Sequence, residues 1–139
     1  MQPQLYWQIH RLAFLFEKRA DDALYEQAGI RFAQFKVLEA IGRNVHTKQN
    51  VVAELLDQTE ASISRQIKLL EKRQFVQVGV VVGNRRAREL ELTEEGEKVW
   101  IHAQQILTLT QSTLIGDMSL ADQKTSHLLF SQAIDNIQS

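Results

Sequence analysis

Between Val51 and Gly96 the chain carries residue types at a spacing that suits the reading of double-stranded DNA. The run Thr59-Glu60-Ala61-Ser62-Ile63-Ser64-Arg65 continues into Gln66-Ile67-Lys68-Leu69-Leu70-Glu71-Lys72. On a 3.6-residue period Ile63, Ile67 and Leu70 share one face, and Ala61, Arg65, Lys68 and Lys72 share roughly the opposite one. The first face can pack on a core. The second combines small side chains, which let a helix approach closely, with cations that meet phosphates and guanine edges. Ser62 and Ser64 keep the helix slim, and the Thr59 hydroxyl can cap its first turn. A second basic cluster, Arg85, Arg86 and Arg88, follows the turn residues Gly83-Asn84. The competing explanation for all these cations is a solvated surface.

Charge is distributed to match. The whole chain is close to neutral, with a formal net charge of −1. From Arg43 to Arg88, however, there are nine basic and four acidic residues, against seven basic and thirteen acidic in the remainder. A basic working surface on an acidic support is the pattern of a nucleic-acid binder.

The elements that must position these residues are mostly helices. Apolar spacing predicts a long first helix over about residues 3–28, with Leu5, Ile9, Leu12, Phe16, Ala20 and Ala23 in register. A second helix is expected over 32–42, with Phe35, Leu38 and Ile41 inward, and a third over 48–56, burying Val52, Leu55 and Leu56. After the helix that begins at Thr59, the β-branched run 75–82 and the alternating Arg88-Glu89-Leu90-Glu91-Leu92 read as a two-stranded ribbon. Thr93-Glu94-Glu95 caps a further helix running to about residue 114, with Val99, Ala103 and Ile106 inward. Ser119-Leu120-Ala121-Asp122 starts the last one. The fold class expected is mainly α with a small β-hairpin wing: a winged helix-turn-helix with N- and C-terminal dimerisation helices. The 139 residues suffice for one domain with its own core. Within it, about 1–30 and 97–139 are read as dimerisation helices, and about 31–96 as the DNA-binding lobe.

An ordered set of motifs resembles a known family. Gly29-Ile30-Arg31-Phe32-Ala33-Gln34-Phe35-Lys36-Val37-Leu38, Ala53-Glu54-Leu55-Leu56, Ser62-Ile63-Ser64-Arg65, Leu70-Glu71-Lys72, and Asn84-Arg85-Arg86-Ala87-Arg88 through Leu92-Thr93-Glu94-Glu95-Gly96 occur in that order. Their spacing is similar to that of the multiple-antibiotic-resistance regulator (MarR) family of winged helix-turn-helix transcription factors, over nearly the whole chain. The resemblance implies a cytoplasmic homodimer on an inverted-repeat DNA, acting as a repressor and released by a small phenolic or aromatic effector. By position it assigns Ser62, Ser64 and Arg65 to the recognition helix and Arg85, Arg86 and Arg88 to the wing tip. With Thr59, Ala61 and Lys68 these form the expected DNA-binding set. Three positions depart from the family pattern. Asn84 stands where Asp is usual, Val78-Gly79-Val80-Val81-Val82 lacks the strand's usual cations, and Gln74 replaces the glycine after the recognition helix. The last implies a helix end without a left-handed cap.

An effector would be expected where the dimer helices meet the DNA-binding lobe. His10, Arg11 and Phe14, with Phe32 and Trp100, offer aromatic walls and polar groups there, although the aromatics also suit a core or a dimer interface. Catalysis has no support: there is no glycine-rich phosphate loop and no nucleophile elbow. His10, His46, His102 and His127 include no pair three or four residues apart, so neither metal nor cofactor is expected. The absence of cysteine removes thiol catalysis and thiol redox sensing. No apolar run reaches membrane-spanning length, and no membrane partner is expected. The alternative function is a winged-helix dimer with weakened DNA binding, serving as a protein-interaction or small-molecule-binding module.

Overall fold

Among the described residues, six helices and one hairpin follow the apolar periodicity of the chain. The computed structural model describes residues 4–44, 47–80 and 88–139. In order these are α1 (Leu5–Ala28), α2 (Phe32–Arg43), α3 (Gln49–Leu55), α4 (Glu60–Lys72), β1 (Val76–Val80), β2 (Arg88–Leu92), α5 (Glu94–Ile115) and α6 (Leu120–Gln138). The mainly α winged-helix architecture is as expected.

The core forms where α2, α3, α4 and the hairpin converge against the end of α1 and the middle of α5. Phe35, Leu38 and Ile41 from α2 meet Ile63, Ile67 and Leu70 from α4, and Val76 and Leu90 close it from the hairpin. Leu24, Ile30, Ala103 and Ile106 join the same cluster, so the core is continuous between the lobe and the helices flanking it. One apolar position was misplaced by periodicity. Leu55 is 53% exposed, and the buried side of α3 consists of Val52 and Ala53, with Leu56 packed against the cluster. With only seven residues, α3 presents a narrow stripe, and Leu55 lies about 110° around the helix from its centre at 100° per residue.

The hairpin is antiparallel, with Val76 opposite Leu92, Val78 opposite Leu90 and Val80 opposite Arg88. Beyond β2, Thr47 forms an isolated antiparallel bridge to Leu90, whose amide donates to the Thr47 carbonyl at 2.7 Å. Thr47 is buried, and its hydroxyl donates to the Asn44 carbonyl at 2.8 Å. The start of α5 locks onto the hairpin. The Thr93 amide donates to the Phe75 carbonyl at 3.0 Å, and the Thr93 hydroxyl accepts from the Gly96 amide at 3.0 Å. Gly96 is the one residue that fits there, because a Cβ would lie 1.9 Å from the Phe75 carbonyl oxygen.

The helix ends on either side of α4 are both Schellman motifs. After α3 the Asp57 amide donates to Glu54 at 3.2 Å and the Gln58 amide to Ala53 at 3.0 Å, with Asp57 at φ 52°. After α4 the Gln74 amide donates to Glu71 and the Phe75 amide to Leu70, both at 2.9 Å, with Gln74 at φ 64°. The expected lack of a left-handed cap at Gln74 is therefore corrected: the left-handed turn is present, adopted by a residue with a side chain. The two hydrogen bonds and the burial of Leu70 hold it there against the steric preference.

The flanking helices are different in character. α1 packs along α5, yet only Ala20 and Leu24 of its residues are buried, and α6 has no buried residue.

Candidate nucleic-acid interface

The expected reading surface is built by α4. Its N-cap is Thr59, whose side-chain oxygen accepts from the Ser62 amide at 3.1 Å. Glu60 in the first turn and Lys72 in the last complement the helix dipole. Ile63, Ile67 and Leu70 point into the core, which fixes the rotation of the helix about its axis. Ala61, Arg65, Lys68 and Lys72 are consequently all exposed on the outer side. Thirteen residues at about 1.5 Å each make a rod of about 20 Å. With one smooth, small-residue end and cations further along, it has the dimensions to lie in a groove about 12 Å wide.

The two serines play unequal parts. The Ser62 hydroxyl donates to the Gln58 side-chain carbonyl at 3.0 Å, which leaves the hydroxyl oxygen free to accept. Ser64 lies on the flank of the helix, in a shallow hollow of about 200 Å³ shared with Gln49, Lys68, Glu71 and Val78. It faces β1 as much as the outer surface. Sequence reasoning passed over Leu69, which is 49% exposed beside Arg65, and Gln58, which orients Ser62. Leu69 was legible as an apolar residue off the buried stripe. The Gln58 contact depends on the turn conformation at Asp57 and had no local signal.

Of the wing cations, Arg88 begins β2 opposite Val80, while Arg85 and Arg86 lie outside the described residues, as do Gly83 and Asn84. Arg73, a fourth cation near the lobe, points the other way. Its guanidinium donates to the Gly29 carbonyl at 2.5 Å and lies 4.8 Å from the centroid of the Phe75 ring.

The five residues expected for an effector are scattered. His10, Arg11 and Phe14 are exposed on α1, with His10 edge-on to Trp7 at 6.2 Å. Phe32 stacks on Phe35 at 6.2 Å and carries Lys36 over its other neighbourhood at 5.3 Å. Trp100 alone of the five lines a hollow of about 370 Å³ between the end of α2, β2 and the start of α5. Its indole N–H donates to Glu39 at 3.2 Å, and its ring covers Gly42, where a Cβ would lie 2.8 Å away. The polar lining of that hollow is Asn44, Glu89, Glu91 and Glu97. Among the described residues that line it, no lysine or arginine would pair with an aromatic carboxylate. Among the described residues no cluster of three or more potential metal ligands occurs, and no helix is long and apolar enough to cross a membrane.

Comparison with known proteins agrees with this geometry. Residues 28–87, which run from the end of α1 through α4 into the wing, match the model of the MarR family. Over this segment the chain is similar to the MarR family. Members of that family are transcription regulators, not enzymes. No curated protein matches the chain. Among solved structures, a MarR/EmrR family transcriptional regulator from Acinetobacter sp. ADP1 superposes with a TM-score of 0.85 at 18% identity, covering 96% of this chain and 94% of that one. MepR of S. aureus in complex with DNA also gives 0.85 at 18% identity, with 97% and 99% covered. CouR from Rhodococcus jostii RHA1, bound to p-coumaroyl-CoA, gives 0.80 at 18% identity, with 98% and 90% covered. At these identities the likeness shows that the winged-helix fold of the MarR proteins extends over nearly the whole chain, terminal helices included.

Proposed function

We propose that this protein is a DNA-binding transcriptional repressor that acts as a homodimer on an inverted repeat. The observation that carries the reading is α4: Ile63, Ile67 and Leu70 are buried, and Ala61, Arg65 and Lys68 stand clear on the opposite side of a capped helix. The MepR complex with DNA supports it, because the same fold is engaged there with a duplex. Two α4 helices related by a two-fold axis would enter successive major grooves about 34–36 Å apart. Arg65 is assigned to a base edge, Lys68 to phosphate, and Thr59, Ala61, Ser62 and Ser64 to the close approach of the helix. Arg85, Arg86 and Arg88 are assigned to the wing's approach to the neighbouring groove. Repression by occupancy requires no surface beyond these.

Fluorescence anisotropy with inverted repeats selected from a random duplex library tests the reading. Arg65→Ala should cost about 1–3 kcal/mol per half-site and relax selectivity at one base pair. Lys68→Ala should weaken binding evenly across sequences and reduce the slope of log affinity against log salt by about 0.9. Failure of the unaltered protein to prefer any repeat over random DNA would refute the proposal.

A small aromatic effector forms the second part of the proposal, supported by the p-coumaroyl-CoA bound to CouR. Such a ligand acts only by preferring the conformation that does not fit DNA. Titration of candidate aromatic compounds should then change Trp fluorescence and operator affinity at the same concentrations. Fluorescence change without loss of DNA would remove the regulatory role.

A further inference from the structure

The junction between α1 and α2 is three residues long, Gly29-Ile30-Arg31. Gly29 sits at φ 68°, which turns the chain sharply from a dimer-type helix into the DNA-binding lobe. Polar contacts brace this corner, beginning with His102 of α5, whose Nε2 lies 3.2 Å from the Gln27 carbonyl in the last turn of α1. On the α2 side, Asp21 of α1 accepts from the Phe32 amide at 2.9 Å and from the Arg31 guanidinium at 3.1 Å, and that guanidinium lies 3.9 Å above the Tyr25 ring. On the α4 side Arg73, at the C-cap of the recognition helix, donates to the carbonyl of Gly29. The two residues are 44 positions apart in sequence. The Gly29 carbonyl lies at the negative end of the α1 dipole, where a cation is favoured. The Phe75 ring beneath the guanidinium limits the directions in which Arg73 can point.

We infer that Arg73 is a positioning residue for DNA readout, which ties the far end of α4 to α1 and so fixes how far apart two recognition helices stand in the dimer. The inference rests on the homodimeric DNA-binding reading above. Its logic is geometric. The buried face of α4 fixes the helix within its lobe, but it does not fix the angle between that lobe and α1. Leu24, Ile30, Ala103 and Ile106 in the shared core set that angle coarsely, and the Arg73 contact to the Gly29 carbonyl adds a polar restraint on it at the corner. A small rotation there is multiplied along the lobe into a displacement of the reading face. Arg73 is therefore spent on internal geometry, although its charge adds to the basic count of the lobe.

The test uses the full-length protein and the tightest inverted repeat selected by it from a random duplex library. Affinity is measured for that repeat and for versions with one base pair inserted or removed at the centre, each shifting the half-sites by about 3.4 Å and about a tenth of a turn. The unaltered protein should discriminate strongly against both. In Arg73→Ala the preference for the native spacing should shrink by about two- to fivefold, the range of an exposed charged contact. Arg73→Lys, which keeps the donor but loses the planar stack, should fall between. The salt slope should stay unchanged in both variants, and far-UV circular dichroism and sedimentation should show a folded dimer. Unchanged discrimination in a folded Arg73→Ala dimer would overturn the tether while leaving the regulator reading intact. A drop of about 0.9 in the salt slope would make Arg73 a phosphate contact and overturn it equally. If the unaltered protein selects no repeat at all, the regulator reading fails and this inference goes with it.

Discussion

The winged-helix lobe and the C-terminal helix α6 are made from similar proportions of apolar residues and use them in opposite ways. In the lobe, the apolar face of α4 is fully buried, and its outer side carries cations and small residues. In α6, Leu120, Leu128, Leu129, Phe130, Ile134 and Ile137 are all at least half exposed, and no residue is buried. Phe130 lines an open apolar hollow of about 260 Å³ with Ile9, Leu12, Ala13 and Phe16 of α1 and Leu114 of α5. One region is complete within a single chain, while the other leaves a row of large side chains in water. Isolated apolar residues on a surface are ordinary, but six large ones exposed around a single helix mark an interaction surface. The contrast teaches that the lobe's shape is set by its own core, whereas the placement of two lobes relative to each other depends on the second copy proposed above.

The strongest way to break this contrast is to charge the α6 face. Leu128→Asp together with Ile134→Asp should abolish dimerisation, at a cost of about 3–6 kcal/mol per protomer if each leucine or isoleucine is covered by the partner. Sedimentation velocity over a range of concentrations would detect it, and operator binding should be lost while the lobe's hairpin persists. A monodisperse, fully folded monomer of the unaltered protein at micromolar concentration would erase the distinction altogether. The converse test strikes the lobe. Gly96→Ala places a methyl group against the Phe75 carbonyl and should cost about 3 kcal/mol, read as a lower midpoint in urea. Smaller effects sharpen the comparison at the helix ends. Gly29→Ala should destabilise by about 1 kcal/mol, because its left-handed conformation penalises a Cβ. Gln74→Gly should do the reverse and raise thermal stability by about 0.5–1 kcal/mol, because the same penalty is already present in the native chain. A destabilised Gln74→Gly protein would mean that the glutamine side chain contributes more than its backbone strain costs.

What could be read in the residues follows from the range of the interactions. Thr59, Thr93 and Ser119 cap the helices they were expected to cap, because an N-cap bond spans only three residues. Ile63, Ile67 and Leu70 were legible for the same local reason, through a strong and regular period. Leu55 was not, since in a helix of seven residues the period leaves the centre of the stripe undetermined. Asp57 and Gln74 adopt left-handed turns without glycine, so the residue types gave no warning of the Schellman motifs. Arg73 and Trp100 were beyond local reading in another sense. Their partners, Gly29 and Glu39, lie 44 and 61 residues away and are brought together only by packing. The scattered effector set shows the same limit, because residues of suitable chemistry on α1, α2 and α5 need not share one hollow.

The bridge between Thr47 and Leu90 has a kinetic consequence. The Leu90 amide is held by a carbonyl from the segment leading into α3, and its side chain is buried in the lobe core. For that proton to exchange with solvent, the hairpin must separate from the helix-turn-helix, so its exchange rate measures the opening of the whole lobe. A wing anchored this way at its base does not swing freely beneath the recognition helix. Across the described stem, Val76–Val80 and Arg88–Leu92, the ordering entropy that a loose arm would lose on binding has already been lost in folding.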